Sequence, residues 1–186
     1  RGYDSSGLIV LSKNNTFDRE RAVGKVKNLE DQLKTRDQRI EGNIGIAHVR
    51  WATHGEANSH NAHPHISKNS VGIVHNGIIE NYIELKNNQI TQGYKFTSET
   101  DTEVIAHAID FAMQSNETLL SSVQKAIKTF QGSYGLGIIS SKYPDTIIAA
   151  RKGSPLVIGV GKNGNYIASD QIALLSETKE FIFLEE

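Results

Sequence analysis

The densest group of chemically active side chains lies between positions 48 and 65. Residues 48–55 read His-Val-Arg-Trp-Ala-Thr-His-Gly, and five of the seven histidines of this 186-residue chain fall within 48–65. Histidine is a common metal ligand. The segment, however, has no His-Glu-x-x-His and no acidic residue at a matching interval. Hydrogen-bonded loop histidines are therefore the favoured interpretation, and we predict no metal site and no cofactor.

Two charged side chains could anchor an amino acid. The guanidinium of Arg50 offers a planar fork of donors that matches a carboxylate in a bidentate way, although a single arginine more often forms a surface ion pair. Asp101 lies in Ser-Glu-Thr-Asp-Thr-Glu, residues 98–103. The pattern Thr100-x-x-Glu103 predicts a capping box. Capping does not need both Glu99 and Asp101, so Asp101 could bind an ammonium group.

The dipeptide Asn76-Gly77 follows an apolar run. Taken alone, an Asn-Gly pair at this place predicts a tight turn. The functional alternative is an oxyanion hole, in which a side-chain amide and a main-chain N–H point at a developing negative charge. Together with Arg50 and Asp101, these residues outline a site for an amino acid whose amide is attacked. The nucleophile is missing, because the chain has no cysteine.

Short β-rich runs and amphipathic stripes must position these residues. Eight strands are predicted from apolar runs bounded by turn-forming residues, at 7–11, 43–49, 70–75, 134–140, 146–150, 156–160, 165–168 and 181–184. In the second of these, period-two alternation places Ile46, His48 and Arg50 on one face. Apolar residues at helical spacing predict amphipathic helices at 26–33, 104–112 and 119–130, and a weaker pattern predicts another at 82–92. Asn163-Gly164 predicts a hairpin between two strands. The pattern indicates a layered α+β domain.

Composition excludes several classes of protein. Twenty basic and twenty-one acidic residues give a net charge of −1, whereas nucleic-acid-binding proteins usually carry a basic surplus. No apolar run reaches the length of a membrane span. We therefore expect one soluble cytoplasmic domain over residues 1–186, with no nucleic-acid or membrane partner. Its ends resemble those of a fragment truncated on both sides.

The ordered motifs resemble the glutaminase domains of the glucosamine-6-phosphate synthases, the isomerizing glutamine–fructose-6-phosphate aminotransferases. The resemblance covers essentially the whole chain and is carried by residues 1–7, 48–55, 61–65, 74–82 and 98–104, with further matches at 153–156 and 168–170. One departure is Val49, where threonine is usual. The resemblance implies a class II glutamine amidotransferase with the N-terminal-nucleophile hydrolase fold, in which two antiparallel sheets lie between helical layers.

The resemblance also implies roles for individual residues. Arg50 would hold the carboxylate of L-glutamine and Asp101 its ammonium group, while Asn76 and Gly77 would form the oxyanion hole. A loop that closes over glutamine would carry the remaining matching positions, Trp51, Thr53 and His54. Arg1 and Gly2 would form a turn beside the nucleophile.

Other parts of such an enzyme are expected outside these residues. The nucleophile would be an N-terminal cysteine, with its α-amine as the base, on a strand and helix preceding Arg1. Sugar isomerase domains of the same chain would receive the ammonia, and the intact enzyme would be a homo-oligomer. Without the cysteine, the 186 residues alone are expected not to hydrolyse glutamine. Two alternatives stay open: a non-catalytic glutamine-binding module, and the glutaminase domain of another class II amidotransferase.

Overall fold

A computed structural model describes residues 4–51, 54–115 and 117–186. Along these ranges the elements are β1 (Ser5–Leu11), β2 (Phe17–Val23), α1 (Val26–Thr35), β3 (Ile44–Arg50), β4 (His65–Ser67), β5 (Val71–Ile79), α2 (Tyr82–Thr91), α3 (Glu103–Met113), α4 (Leu119–Ile127), β6 (Gly132–Ser140), β7 (Tyr143–Lys152), β8 (Val157–Val160), β9 (Asn165–Ala168), a 3₁₀ turn (Gln171–Leu174) and β10 (Glu180–Phe183). No helix within these ranges combines the length and the apolar character that a membrane crossing requires.

Two antiparallel sheets face each other through apolar side chains. The first has the order β2-β1-β3 and the second the order β4-β5-β6-β7. Ile9 and Ile46 from the first sheet pack with Ile139 from the second in one buried cluster, with Val74 against it. Burying each such side chain stabilises the fold by roughly 1.5–3 kcal/mol. Strands β8, β9 and β10 form a third, smaller antiparallel sheet.

Helices cover the outer faces of the two large sheets. Helices α3 and α4 contribute Ile105, Ile109 and Val123 to the larger core cluster, where they meet Ile73 and Leu136 of the second sheet. Helix α1 packs against β1 and β2 on the other side of the molecule. The order helix, sheet, sheet, helix confirms the predicted α+β four-layer sandwich. The stripes predicted for α3 and α4 point into the core, as expected from their spacing.

Two strands were not predicted because they lack an apolar run. Strand β2 reads Phe-Asp-Arg-Glu-Arg-Ala-Val, residues 17–23, and lies at the edge of the first sheet. Charged side chains are typical of edge strands, since they discourage pairing with other chains. Strand β4 has three residues only. The predicted hairpin is confirmed, because β8 pairs with β9 and the Gly161 N–H donates to the Gly164 carbonyl over 3.1 Å.

The turn predicted at Asn76-Gly77 is wrong. Strand β5 continues to Ile79, and Asn76 and Gly77 lie opposite Gly135 and Tyr134 of β6. The φ of Gly77 is 144°, and a Cβ at this position would overlap the Ser133 carbonyl. Glycine is therefore required for a close approach of two strands. The long pairing with β6 overrides the local turn preference of the dipeptide.

The capping box predicted at Thr100 and Glu103 is also wrong. Helix α3 begins at Glu103, and its N-cap residue Thr102 makes no side-chain capping bond. The Glu103 carboxylate instead accepts from the main-chain N–H groups of Thr97, at 3.0 Å, and Ser98, at 2.7 Å. The Thr100 hydroxyl lies 3.2 Å from Nε2 of His65. The segment before α3 thus folds back onto Glu103 and leaves Asp101 near the end of β5.

Candidate active site

Arg50 lies at the end of β3 and is not a surface residue. Its side chain is on the face of the first sheet that meets the second, and Arg50 is 4% exposed. The guanidinium donates hydrogen bonds to the main-chain carbonyls of the loop that follows the strand. Nη2 donates to His54 and, at 3.3 Å, to Gly55, while Nη1 donates to Glu56 at 3.2 Å. The loop therefore wraps around a buried cation.

The electrostatic surroundings of Arg50 include a second predicted site residue. Burial lowers the pKa of the Arg50 guanidinium, and the carboxylates of Asp4 and Asp101 act in the opposite direction. Arginine stays charged despite such shifts. Arg50 and Asp101 are thus close enough for their charges to interact, as two anchors of one amino acid require.

Asp101 is oriented by the end of β5. It is 3% exposed, and its Oδ2 accepts the main-chain N–H of Ile79 at 2.7 Å. The Thr102 hydroxyl is 3.4 Å from Oδ1, a long contact for a hydroxyl donor. One carboxylate oxygen therefore holds the strand, and the other keeps capacity to accept from a ligand.

Asn76 and Gly77 lie on β5, shortly before Ile79 at the end of that strand. Residues two apart share a face of a strand, so Asn76 faces the first sheet, as Val74 does in the cluster between the sheets. Asn76 is exposed among the described residues. The carboxamide is thus open to a ligand. Arg50, at the end of β3, and Asp101, bonded to the end of β5, lie towards the same end of the facing sheets as Asn76.

The predicted closing loop is only partly described. Trp51 leaves the end of β3 with 72% of its surface exposed. The His54 ring meets the Tyr82 ring of α2 edge-on, with the centroids 5.3 Å apart. Thr53 lies outside the described residues, as do Arg1 and Gly2. The roles predicted for Trp51, Thr53 and His54 stay predictions.

Sequence reasoning missed the pair formed by Asn61 and Glu99. The Asn61 Nδ2 donates to Oε2 of Glu99 at 3.0 Å, and the Glu99 main-chain N–H donates to Oδ1 of Asn61 at 2.8 Å. The only signal in the sequence was the acidic excess in residues 98–103, which capping did not explain. Its partner is 38 residues away, and nothing local identifies it.

Four of the seven histidines are buried, whereas His60 is exposed in a loop. His63, His65 and His75 are at most 5% exposed. The rings of His48 and His63 stack with centroids 4.3 Å apart, and the His75 N–H donates to Nδ1 of His63 over 3.4 Å. Nδ1 of His75 is 3.0 Å from the Thr102 hydroxyl, beside Asp101. In the described ranges, no three His, Cys, Asp or Glu side chains are placed to hold a metal ion.

Burial of these histidines predicts a loss of stability in mild acid. It lowers the pKa of His48 from 6.5 to about 4, and it depresses the pKa values of His63, His65 and His75. Between pH 6.5 and pH 4 the folded state therefore binds fewer protons than the unfolded state. The contribution of the neutral histidines to the free energy of unfolding is present above pH 6.5 and is lost as the pH falls towards 4. His48 alone contributes a loss of about 2 kcal/mol between pH 7 and pH 5.

Urea unfolding of the chain at pH 7 and pH 5 measures this loss. His48→Gln is expected to make the free energy of unfolding less dependent on pH. His60→Gln, which removes an exposed histidine, serves as the control and is expected to keep the full dependence. Equal stability of the unmodified chain at the two pH values would contradict the prediction.

Comparison with known proteins adds to this geometry. A profile described as a glutamine amidotransferase domain matches residues 48–176. The chain is 51% identical over 186 residues to the glutamine–fructose-6-phosphate aminotransferase (isomerizing) of Haemophilus influenzae, and 54% identical over the same length to that of Photorhabdus laumondii. All of this chain is aligned in both cases, and it spans 30% of the length of each relative.

Solved structures share the fold. The glutamine phosphoribosylpyrophosphate amidotransferase of B. subtilis matches with a TM-score of 0.78 and 23% identity, over 98% of this chain and 39% of that chain. A structure described as the allosteric regulatory enzyme of purine biosynthesis matches with a TM-score of 0.79 and 25% identity, over the same shares of the two chains. The four-layer sandwich is therefore the fold of the N-terminal-nucleophile amidotransferases.

Proposed function

The chain belongs to the glutamine amidotransferase domain family, and we propose that it is the glutaminase part of an enzyme that transfers the amide nitrogen of glutamine to fructose 6-phosphate. The chain spans 30% of the length of these relatives, and we assign the transfer step to a part of the enzyme other than these residues. One observation supports the proposal: a buried guanidinium, a buried carboxylate and an exposed carboxamide lie towards one end of the facing sheets.

Each of these groups suits one part of L-glutamine. Arg50 binds the α-carboxylate through its planar fork of donors, and Asp101 binds the α-ammonium through the oxygen that Ile79 does not use. The γ-amide then lies towards β5, where the Asn76 carboxamide and the Gly77 N–H donate to its oxygen. A guanidinium and a carboxylate near each other favour a zwitterionic α-amino acid over an ordinary anion or cation.

The reaction proceeds by nucleophilic attack on the γ-amide. A thiol supplied from outside these 186 residues, which contain no cysteine, adds to the amide carbon and gives a tetrahedral oxyanion. Asn76 and Gly77 stabilise the charge on that oxygen. The C–N bond then breaks, the nitrogen takes a proton and leaves as ammonia, and water hydrolyses the thioester to glutamate. Closure of the loop with Trp51, Thr53 and His54 excludes water while ammonia is released.

The rest of the protein completes the enzyme. Sugar isomerase domains receive the ammonia and bind fructose 6-phosphate, and the full-length protein is a cytoplasmic homo-oligomer. The non-catalytic alternative keeps the same glutamine contacts but forms no thioester. The glutaminase forms glutamate from glutamine, whereas the non-catalytic module does not.

Isotope transfer tests the proposal directly. The full-length protein is incubated with fructose 6-phosphate and L-glutamine labelled with ¹⁵N at the amide. We expect the label in the amino group of a hexosamine phosphate, with an equal amount of glutamate formed. Bound glutamine without glutamate release would favour the non-catalytic module. Absence of both binding and turnover would refute the proposed function.

A further inference from the structure

We propose that Asn61 and Glu99 form a positioning pair, the Asn61–Glu99 clamp, which fixes the separation of the two charged anchors Arg50 and Asp101. The inference rests on the proposed function, because it assigns these anchors to one amino acid. We assign neither clamp residue a contact with the substrate. The two clamp residues act by fixing the positions of the Arg50 and Asp101 side chains.

The clamp joins two segments that are far apart in the chain. Asn61 is 1% exposed and uses both ends of its carboxamide towards residue 99. Its Nδ2 donates to the Glu99 carboxylate at 3.0 Å, and its Oδ1 accepts the Glu99 main-chain N–H at 2.8 Å. Two opposed hydrogen bonds fix orientation as well as distance. Loss of these bonds therefore lets one segment shift against the other.

On one side the clamp reaches Arg50 through a shared carbonyl. The Glu56 carbonyl accepts from Nδ2 of Asn61 at 3.0 Å and from Nη1 of Arg50 at 3.2 Å. It also accepts the main-chain N–H of Asn58 at 2.9 Å. Gly55, with a φ of 75°, packs so closely that a Cβ would lie 2.6 Å from Nδ2 of Asn61. The loop around the guanidinium is thus held directly by Asn61.

On the other side the clamp reaches Asp101 along a short segment in which Ser98, Thr100 and Asp101 are buried and Glu99 itself is exposed. Glu99 is two residues before Asp101, and the residues on either side of Glu99 are themselves fixed. Ser98 donates its N–H and hydroxyl to the Glu103 carboxylate, each at 2.7 Å, and Thr100 meets His65. The Glu99 contact is thus one of several that fix the main chain next to Asp101, and its loss removes the tie between this segment and the loop around Arg50.

The clamp has a consequence for substrate binding. The carboxylate and ammonium of an α-amino acid are attached to the same carbon, so their separation is fixed by the ligand. A site with the wrong anchor spacing can satisfy one group but not both. Loss of the clamp is therefore expected to weaken glutamine binding. The steps that use ammonia directly do not involve these anchors and are expected to be unaffected.

A double-mutant cycle in the full-length protein tests the clamp. Asn61→Asp places a carboxylate against Glu99 and against the Glu56 carbonyl, and we expect the KM for glutamine to rise about tenfold or more. Glu99→Gln keeps an acceptor for Asn61, so its KM is expected to change by about twofold or less. In the double variant the new amide at position 99 donates to the new carboxylate at position 61, and part of the lost affinity is expected to return.

The readouts separate positioning from general damage. Ammonia-dependent synthesis is expected to stay at the wild-type rate in all three variants, and Glu84→Gln, on an exposed face of α2, is the control. An unchanged KM in Asn61→Asp, a double variant no better than Asn61→Asp, or a parallel fall of ammonia-dependent synthesis would each overturn the clamp. Should Asn61→Asp not fold, Glu99→Ala replaces it, with a rise in KM of about threefold or more expected and an unchanged KM as the refuting result. A wild-type enzyme inactive with glutamine would refute the proposed function itself.

Discussion

Replacing Asn76 by aspartate in the full-length protein is expected to lower glutamine turnover by about a hundredfold or more. An aspartate has nearly the size of asparagine, but its carboxylate cannot donate a hydrogen bond. It also repels the negative charge that forms on the amide oxygen. Because this donor acts mainly in the transition state, kcat is expected to fall while the KM for glutamine changes little. Steady-state glutaminase kinetics measure both quantities.

The chain contains its own control for this substitution. Asn163 is also followed by glycine, but it lies in the exposed turn between β8 and β9. Asn163→Asp introduces the same charge and is expected to leave turnover unchanged. Both variants are expected to keep ammonia-dependent synthesis and the wild-type melting temperature. Near-normal glutamine turnover in Asn76→Asp would show that Asn76 is only a strand residue.

The second large effect is expected on glutamine affinity when the anchors are changed. Asp101→Asn removes the negative charge but keeps an acceptor for the Ile79 N–H, so the end of β5 is expected to remain in place. Arg50→Lys keeps the positive charge and loses the fork that binds a carboxylate in a bidentate way. Losing a charge-assisted hydrogen bond costs about 1.5–3 kcal/mol. The KM for glutamine is therefore expected to rise by about ten- to a hundredfold in each variant.

Two substitutions away from the site control for the same side-chain changes. Asp31 is exposed and pairs with Lys27, and the half-buried Arg36 pairs with Asp18 and Glu20. Asp31→Asn and Arg36→Lys are expected to leave the KM for glutamine unchanged. Ammonia-dependent synthesis is expected to be largely spared in Asp101→Asn and Arg50→Lys. Wild-type glutamine kinetics in both of these variants would refute the amino-acid site.

The regular parts of the fold could be predicted from residue spacing. The apolar stripes of α3 and α4 and the alternation of Ile46, His48 and Arg50 on β3 follow from the periods of a helix and a strand. The charged edge strand β2 has no apolar run, so its existence depends on its pairing with β1. The arrangement in four layers came from the resemblance of the motifs, because spacing alone indicated only a layered α+β domain.

The errors at the site share one physical cause. Asn76-Gly77 and Thr100-x-x-Glu103 are local patterns, and each was interpreted through its nearest neighbours in sequence. In the folded chain, Gly77 is fixed by β6 and Glu103 by residues 97 and 98, so other contacts override the local preference. The Asn61–Glu99 pair could not be predicted at all. Its two members carry no pattern of their own, and only the fold brings them together.

Under the proposed function, the carbonyls that surround Arg50 make its guanidinium a weaker site for simple anions. Three hydrogen bonds to His54, Gly55 and Glu56 already satisfy donors of this guanidinium. A chloride or phosphate ion finds fewer unsatisfied donors there than on an unbonded guanidinium, which has five N–H groups, and its net gain is correspondingly small. An α-amino acid would gain a second contact by bringing its ammonium group to Asp101. Such a site would discriminate against ligands that make only one of the two contacts.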